Sequence, residues 1–151
     1  MTFDDKDRTI LTHLQRDGRA SASEIAQIVE LSVPAVSERI RKLVDNGWIK
    51  GFHAHLDAKQ LNHDVTAFIT VVMRSSEHYE DFVHHVQETD EILECHSITG
   101  DGSHIIKIRT RNTSTLETLL RTIQTWPGVQ RTHTSVVMSS YKETLSLPLD
   151  S

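Results

Sequence analysis

Glu38 and Arg41, three residues apart, carry the two side chains of this 151-residue sequence best fitted to read a hydrogen-bonding pattern. An arginine fork can donate two parallel bonds to guanine, and a carboxylate can accept from the amino group of cytosine. Ser37 suits a base edge or a phosphate, and Pro34 or Ala35 can touch a thymine methyl. Ser32, Lys42 and Lys50 complete the set of candidate DNA-contacting residues, Lys50 as a phosphate contact. No outward Asn or Gln is available for adenine. Direct reading of bases is therefore thin, and selectivity is expected to draw on DNA shape, bending and half-site spacing.

These residues need a helix that presents them together. Ser21 and Glu24 form the S-x-x-E signature of a capping box, and Ile25, Ile28 and Val29 recur behind them at helical spacing, with Ala26 small enough for close packing. Ser32 can cap the next helix, Pro34 fits its first turn, and Val36, Ile40 and Leu43 mark a buried stripe before Asn46-Gly47 stops it. Pro34, Glu38 and Arg41 then lie opposite that stripe, flanked by Ala35, Ser37 and Lys42. Upstream, Asp4 can cap a helix with Ile10, Leu11 and Leu14 inward, ended at Asp17-Gly18. Three helices with a tight turn between the second and third form a helix-turn-helix, although two amphipathic helices also occur as plain scaffolding. Residues 48–56 alternate and read as a strand, which a winged variant places beside the third helix. Arg39 flanks the buried stripe, where a structural ion pair and a phosphate contact are both open.

Residues 1–52 hold eight Lys or Arg and eight Asp or Glu, while residues 53–151 hold eight and thirteen, so the whole net charge of −5 lies in the second part. A neutral head on an acidic body excludes indiscriminate affinity for nucleic acid. With few phosphate contacts a single head would hold DNA weakly, and pairing two heads by symmetry remedies this. No apolar run approaches membrane-spanning length, and the acidic start lacks the features of a secretory signal, so a cytoplasmic protein is expected. The lone cysteine, Cys95, sits in an expected strand and reads as a small buried hydrophobe.

The length and a composition shift near residues 56–64 suggest a winged helix-turn-helix at 1–52, a linker strand and hinge at 53–64, and a second domain at 65–151. In the second domain, strands are expected at 65–73, 92–99, 104–111 and 129–139, with helices at 79–87 and 114–125. This βαββαβ order forms a four-stranded antiparallel sheet with both helices on one face, the ferredoxin-like arrangement of an α+β protein. Val65, Ala67, Ile69, Val71 and Met73 point one way along the first strand, and Phe68 and Val72 point the other. Both faces are thus apolar, and covering the second with another copy makes a homodimer the natural assembly.

The chain as a whole resembles the leucine-responsive and asparagine-responsive (Lrp/AsnC, feast/famine) transcription regulators of bacteria and archaea. The resemblance rests on D-x-x-D-R-T-I-L from Asp4, E-I-A from Glu24, L-S-x-x-x-V-x-x-R-I-x-x-L from Leu31 and G-W-I-K-G-F from Gly47. It continues in T-G-D from Thr99 and P-G-V from Pro127. It implies an N-terminal winged helix-turn-helix, a ferredoxin-like (RAM/ACT-like) ligand-sensing domain, dimers that gather into tetramers or octamers, amino acids as effectors, and regulation without catalysis or cofactor. It further implies effector contacts, at an interface between dimers, from Thr99, Gly100, Asp101, Gly102, Ser103 and His104, and from Thr132, Thr134 and Val136 on the last strand. Many members carry a second carboxylate and two aromatics in that loop. Here Ser103 replaces the carboxylate, offering an ammonium group only a neutral acceptor, and the aromatics are absent.

Ten histidines raise the question of a metal. His53 and His55 would share one side of a strand and His84-His85 lie on a helix, but neither pair makes a full ligand set, so no metal is expected. Two other readings remain. Sirohaem decarboxylases share the resembled fold, and His96, His104 or Arg109 could serve such an enzyme. A ligand-binding assembly protein whose head no longer reads DNA is the third.

Overall fold

The computed structural model describes residues 2–149, which divide into two compact units. Residues up to His55 cluster with those from Lys142 onward, and Leu56–Tyr141 form the other unit.

The first unit is a three-helix head. α1 (Asp5–Arg16) begins in a reciprocal capping box: the Asp4 side chain accepts from the Asp7 amide, and the Asp7 side chain accepts in turn from the Asp4 amide. α2 (Ala22–Val29) begins the same way between Ser21 and Glu24, and α3 (Val33–Asp45) starts at Ser32 with Pro34 in its first turn. Ile10, Leu11, Leu14, Ile25, Ala26, Val29, Val36 and Leu43 form the core. Ile28, expected inward, is half exposed. Ile25, Ala26 and Val29 centre the stripe about 100° round the helix from it.

Glu30 closes α2 in the left-handed region at φ 53°, where a Cβ is unfavourable. Glycine there relieves that strain while gaining freedom in the unfolded chain, so Glu30→Gly is expected to stabilise the head by up to about 1 kcal/mol. Thermal melting of the two proteins side by side checks this.

Residues 48–56 do not form the expected strand. The Trp48 and Ile49 amides donate to the Leu43 carbonyl, finishing the helix end, and Trp48 stacks on Phe3 with centroids 4.6 Å apart. Beyond Ile49 the backbone enters no ladder and residues 50–56 are exposed, because alternation makes a strand only where a second strand lies beside it. His53 and His55 therefore share no sheet face.

Residues 142–149, part of the expected second domain, pack with the head in the structure. Gln15 Nε2 donates to the Leu147 carbonyl at 3.1 Å, the Leu147 amide donates to Gln15 Oε1 at 2.6 Å, and Leu149 packs against the core of the three helices.

The second unit follows the expected order: β1 (Val65–Met73), α4 (Tyr79–Gln87), β2 (Ile92–Ser97), β3 (His104–Thr110), α5 (Thr113–Thr125) and β4 (Val129–Val136). The strands lie β2-β3-β1-β4, all neighbours antiparallel. Ala67, Ile69, Val71 and Met73 of β1 pack with Ile106 and Ile108 of β3 beneath Phe82, Val86, Leu116, Leu119 and Ile123 of the helices. Trp126 joins them, a core residue that its place beside a turn conceals. Cys95 packs against the edge of this core, where burial pushes its thiol upward. On the other face, Phe68 is exposed and Val72 half-buried.

Candidate nucleic-acid interface and effector loop

The outer face of α3 is open to solvent. Ser32, Pro34, Ser37, Glu38, Arg41 and Lys42 are exposed, Ala35 is half-buried, and Lys50 is exposed beyond the helix end. The Ser32 hydroxyl is already engaged, accepting from the Ala35 amide at 3.3 Å. Ser37 and Lys50 carry no side-chain hydrogen bond or ion pair in the described structure, which leaves them available to a ligand. No helix among the described residues is long and apolar enough to cross a membrane.

Arg41 is engaged by carboxylates of its own helix. Its Nε and Nη2 donate to the two Glu38 oxygens at 3.0 and 2.7 Å, and its Nη1 donates to Asp45 Oδ2 at 2.7 Å. Lys42 Nζ stands 3.6 Å from the same Glu38. The guanidinium, by hydrogen bonding, holds the Glu38 carboxyl below its ordinary value, and Glu38 raises Arg41 in return. The sequence reading missed Asp45, although its spacing of four from Arg41 was a visible signal.

Arg39 turns away from this face. Its Nη1 lies 2.8 Å from the fully buried Asp7 and 2.9 Å from Asp4, so α3 is pinned to the start of α1 by an ion-pair network. Asp7, chiefly, and Asp4 raise the guanidinium, and of the two uses open to Arg39 the structure shows the structural ion pair.

The loop between β2 and β3 lies close against β1. The Ser103 amide donates to the Val71 carbonyl, its hydroxyl donates to the same oxygen at 3.2 Å, and the Ile98 amide donates to the Ser103 carbonyl. Gly102 permits this approach: a Cβ there would fall 2.3 Å from Thr70 Cγ2 and 3.3 Å from the Val71 carbonyl oxygen. Thr99, Gly100 and Asp101 are exposed at the tip, while Ser103 is drawn inward.

His104 does not accompany the loop tip. It lies opposite Val71 on the helix-bearing face and is buried, its ring 4.8 Å from those of Tyr79 and Phe82 and its Nδ1 2.9 Å from Ser103 Oγ. Burial pushes its pKa down, favouring the neutral ring. Thr132, Thr134 and Val136 oppose Val71, Ile69 and Ala67, so they too lie on the helix-bearing side, at the far edge of the sheet. Thr132 accepts from Gln124 Nε2 of α5 at 3.1 Å. β1 intervenes between this edge and the loop, about 10 Å from β3 to β4. Within one chain the nominated effector residues thus form two groups. Among the described residues no three His, Cys, Asp or Glu side chains gather as a metal site.

A reading helix opposed to a packed face, joined in one chain to a ferredoxin-like sheet, defines a DNA-binding regulator with a separate sensing domain. Comparison with known proteins agrees: residues 3–50 match the winged helix-turn-helix DNA-binding model, and residues 66–147 match the Lrp/AsnC ligand binding domain. The chain is 38% identical over 147 residues to the HTH-type transcriptional regulator FL11 of Pyrococcus horikoshii, covering 97% of each. It is 36% identical over 140 residues to the leucine-responsive regulatory protein of Escherichia coli, covering 91% of this chain and 85% of the relative. Among solved structures, a transcriptional regulator of Neisseria meningitidis in complex with L-methionine superposes with a TM-score of 0.94 at 30% identity, covering 99% of this chain and 98% of the other. AsnC of Escherichia coli superposes at 0.90 and 29%, covering 98% and 100%. The chain belongs to the Lrp/AsnC family of transcriptional regulators, and it is a regulator rather than an enzyme.

Proposed function

We propose that this regulator acts in the cytoplasm as a symmetric homodimer, gathered into tetramers or octamers, whose twinned heads hold operator DNA. Its contacts come from Ser32, Pro34, Ala35, Ser37, Glu38, Arg41, Lys42 and Lys50. The observation that carries this reading is the solvent-exposed polar face of α3, directly opposite Val36 and Leu43 in the core. The apolar outer face of β1, with Phe68 exposed, suits a second sheet, and a dimer links the two weak DNA contacts into one strong one. Arg41→Ala is expected to weaken operator binding by about 1 to 3 kcal/mol without dissolving the oligomer. DNA fragments recovered with the protein from its own cells supply the operator for that titration. Equal retention of such a fragment by wild type and variant removes Arg41 from the reading set.

The effector is an amino acid held between dimers. Asp101, exposed at the loop tip, supplies a carboxylate for the ammonium group. Thr99, Gly100 and Gly102 line the same loop, and Thr132, Thr134 and Val136 offer an edge that a neighbouring dimer can bring to it. Ser103 and His104 shape the loop from beneath. Two relatives support the choice of ligand class: the Neisseria regulator, crystallised with L-methionine, and a feast or famine regulatory protein of Mycobacterium tuberculosis, complexed with the same amino acid. A panel of amino acids at millimolar concentration is expected to shift either assembly state or DNA affinity, by binding one quaternary arrangement better than another. Sedimentation and DNA retention unaffected by every member of the panel would sink this part of the reading.

A further inference from the structure

We infer that Glu38 and Asp45 are specificity-determining residues, which occupy the Arg41 guanidinium away from the operator and release it to a guanine edge in the correct position. The inference rests on the reading of α3 as the DNA-contacting helix and goes beyond it by assigning a role to the two acidic side chains on that face.

Three of the five donors of Arg41 are satisfied at 2.7 to 3.0 Å by two carboxylates, each about one turn from it along the same exposed side of α3. The exposed charges of this face, Arg41 and Lys42 against Glu38 and Asp45, sum to zero. A phosphate, meeting this face on any DNA sequence, has to displace a carboxylate to reach the guanidinium and approaches negative charge as it does so. A guanine offers O6 and N7 to the same fork, and a nearby cytosine offers its amino group to the released Glu38, so both partners are satisfied again. The exchange is balanced only on a sequence that supplies both groups. Discrimination of this kind combines attraction to the right site with a penalty at all others.

The test uses the full-length protein, a random-sequence duplex, and a duplex enriched from a random pool by the wild type. Glu38→Gln, Asp45→Asn and the double variant keep side-chain size and remove charge at exposed positions; Glu117→Gln, which breaks the Glu117–Arg121 pair on α5, changes net charge by as much as either single variant and serves as the control. The double variant is expected to bind random duplex about tenfold more tightly near 0.1 M salt, to steepen the dependence of log K on log salt by about one, and to lose about tenfold of its preference for the enriched duplex. The Glu117 variant is expected to leave all three unchanged. In an Arg41→Ala background the same two amide substitutions are expected to gain clearly less on random duplex than in the wild type, only what lost repulsion and the release of Lys42 supply, because most of their action passes through the guanidinium. Unchanged random-duplex binding in the double variant overturns the inference, and so does an equal gain in the Arg41→Ala background, which marks simple repulsion. In either case a wild type that still enriches its duplex leaves the DNA-binding reading standing. A wild type that enriches nothing brings down both.

Discussion

Asp7→Ala is expected to cost the head about 2 to 3 kcal/mol and to loosen α3 against α1. Asp7 is fully buried, with one oxygen 2.8 Å from Arg39 and the other accepting from the Asp4 amide at 3.2 Å. Removing it ends the capping box and leaves a guanidinium that is less than a third exposed short of one partner. The loss stays below that of a wholly buried pair because Asp4 remains 2.9 Å from Arg39 and water reaches the outer nitrogens. Because the chain has two units, the loss is best read by amide hydrogen exchange at Ile10, Val36 and Leu43, whose protection should fall together while that of Ile106 and Ile108 stays constant. DNA affinity should fall as well, since Glu38 and Arg41 keep their places only while α3 keeps its own. Unchanged protection along α3 would falsify the role given to this network.

Phe82→Ala is expected to be the most damaging single change in the second unit, at about 3 to 5 kcal/mol. The ring is fully buried and touches both His104 and Trp126, at 4.8 and 5.7 Å between centroids. Its loss opens a void against an imidazole whose neutral state depends on being dry. The wild-type second unit should lose stability as pH falls. With the folded His104 pKa depressed below its ordinary 6.5, the unfolded chain takes up the proton first. The contribution of His104 is therefore intact above about 6.5 and drains away between there and the lowered folded value. In Phe82→Ala, water entering the void restores the imidazole toward its ordinary pKa, and that acid-side slope should flatten. Denaturant midpoints measured between pH 5 and pH 8 for both proteins give the comparison, and parallel slopes would show that Phe82 does not keep His104 dry.

The order of elements in the second unit is legible because its signals are local. The β-rich, nearly all-apolar run from Val65 to Met73 marks a strand, the spacing of Phe82 and Val86 a helix, and the Pro127-Gly128 turn the start of β4. The caps at Asp4, Ser21 and Ser32 are equally local, each a short polar side chain within three residues of the amide it serves. The face of His104 was also recoverable. It shares parity with Ile106 and Ile108, and grouping it with the loop by motif passed over that alternation. By contrast, residues 48–56 alternate convincingly and still make no strand, since hydrogen bonds between strands belong to the pair and not to either member. The attachment of residues 142–149 to α1 lies beyond any reading by periodicity, because Gln15 and Leu147 meet across 132 positions. The candidate reading face was visible in outline from the stripe of α3. What it lacked was Asp45, whose meaning appears only once the Arg41 fork has a direction.

The return of residues 142–149 to α1 has a consequence during synthesis. The three helices precede the sheet in the chain, yet the surface of the head that receives Leu147 and Leu149 stays uncovered until the entire sheet has been made. The nascent helices must therefore wait, partly bare, through the translation of some ninety further residues, and closing so long a loop is slow compared with forming the helices themselves. In this chain the head is begun before the sheet and completed after it.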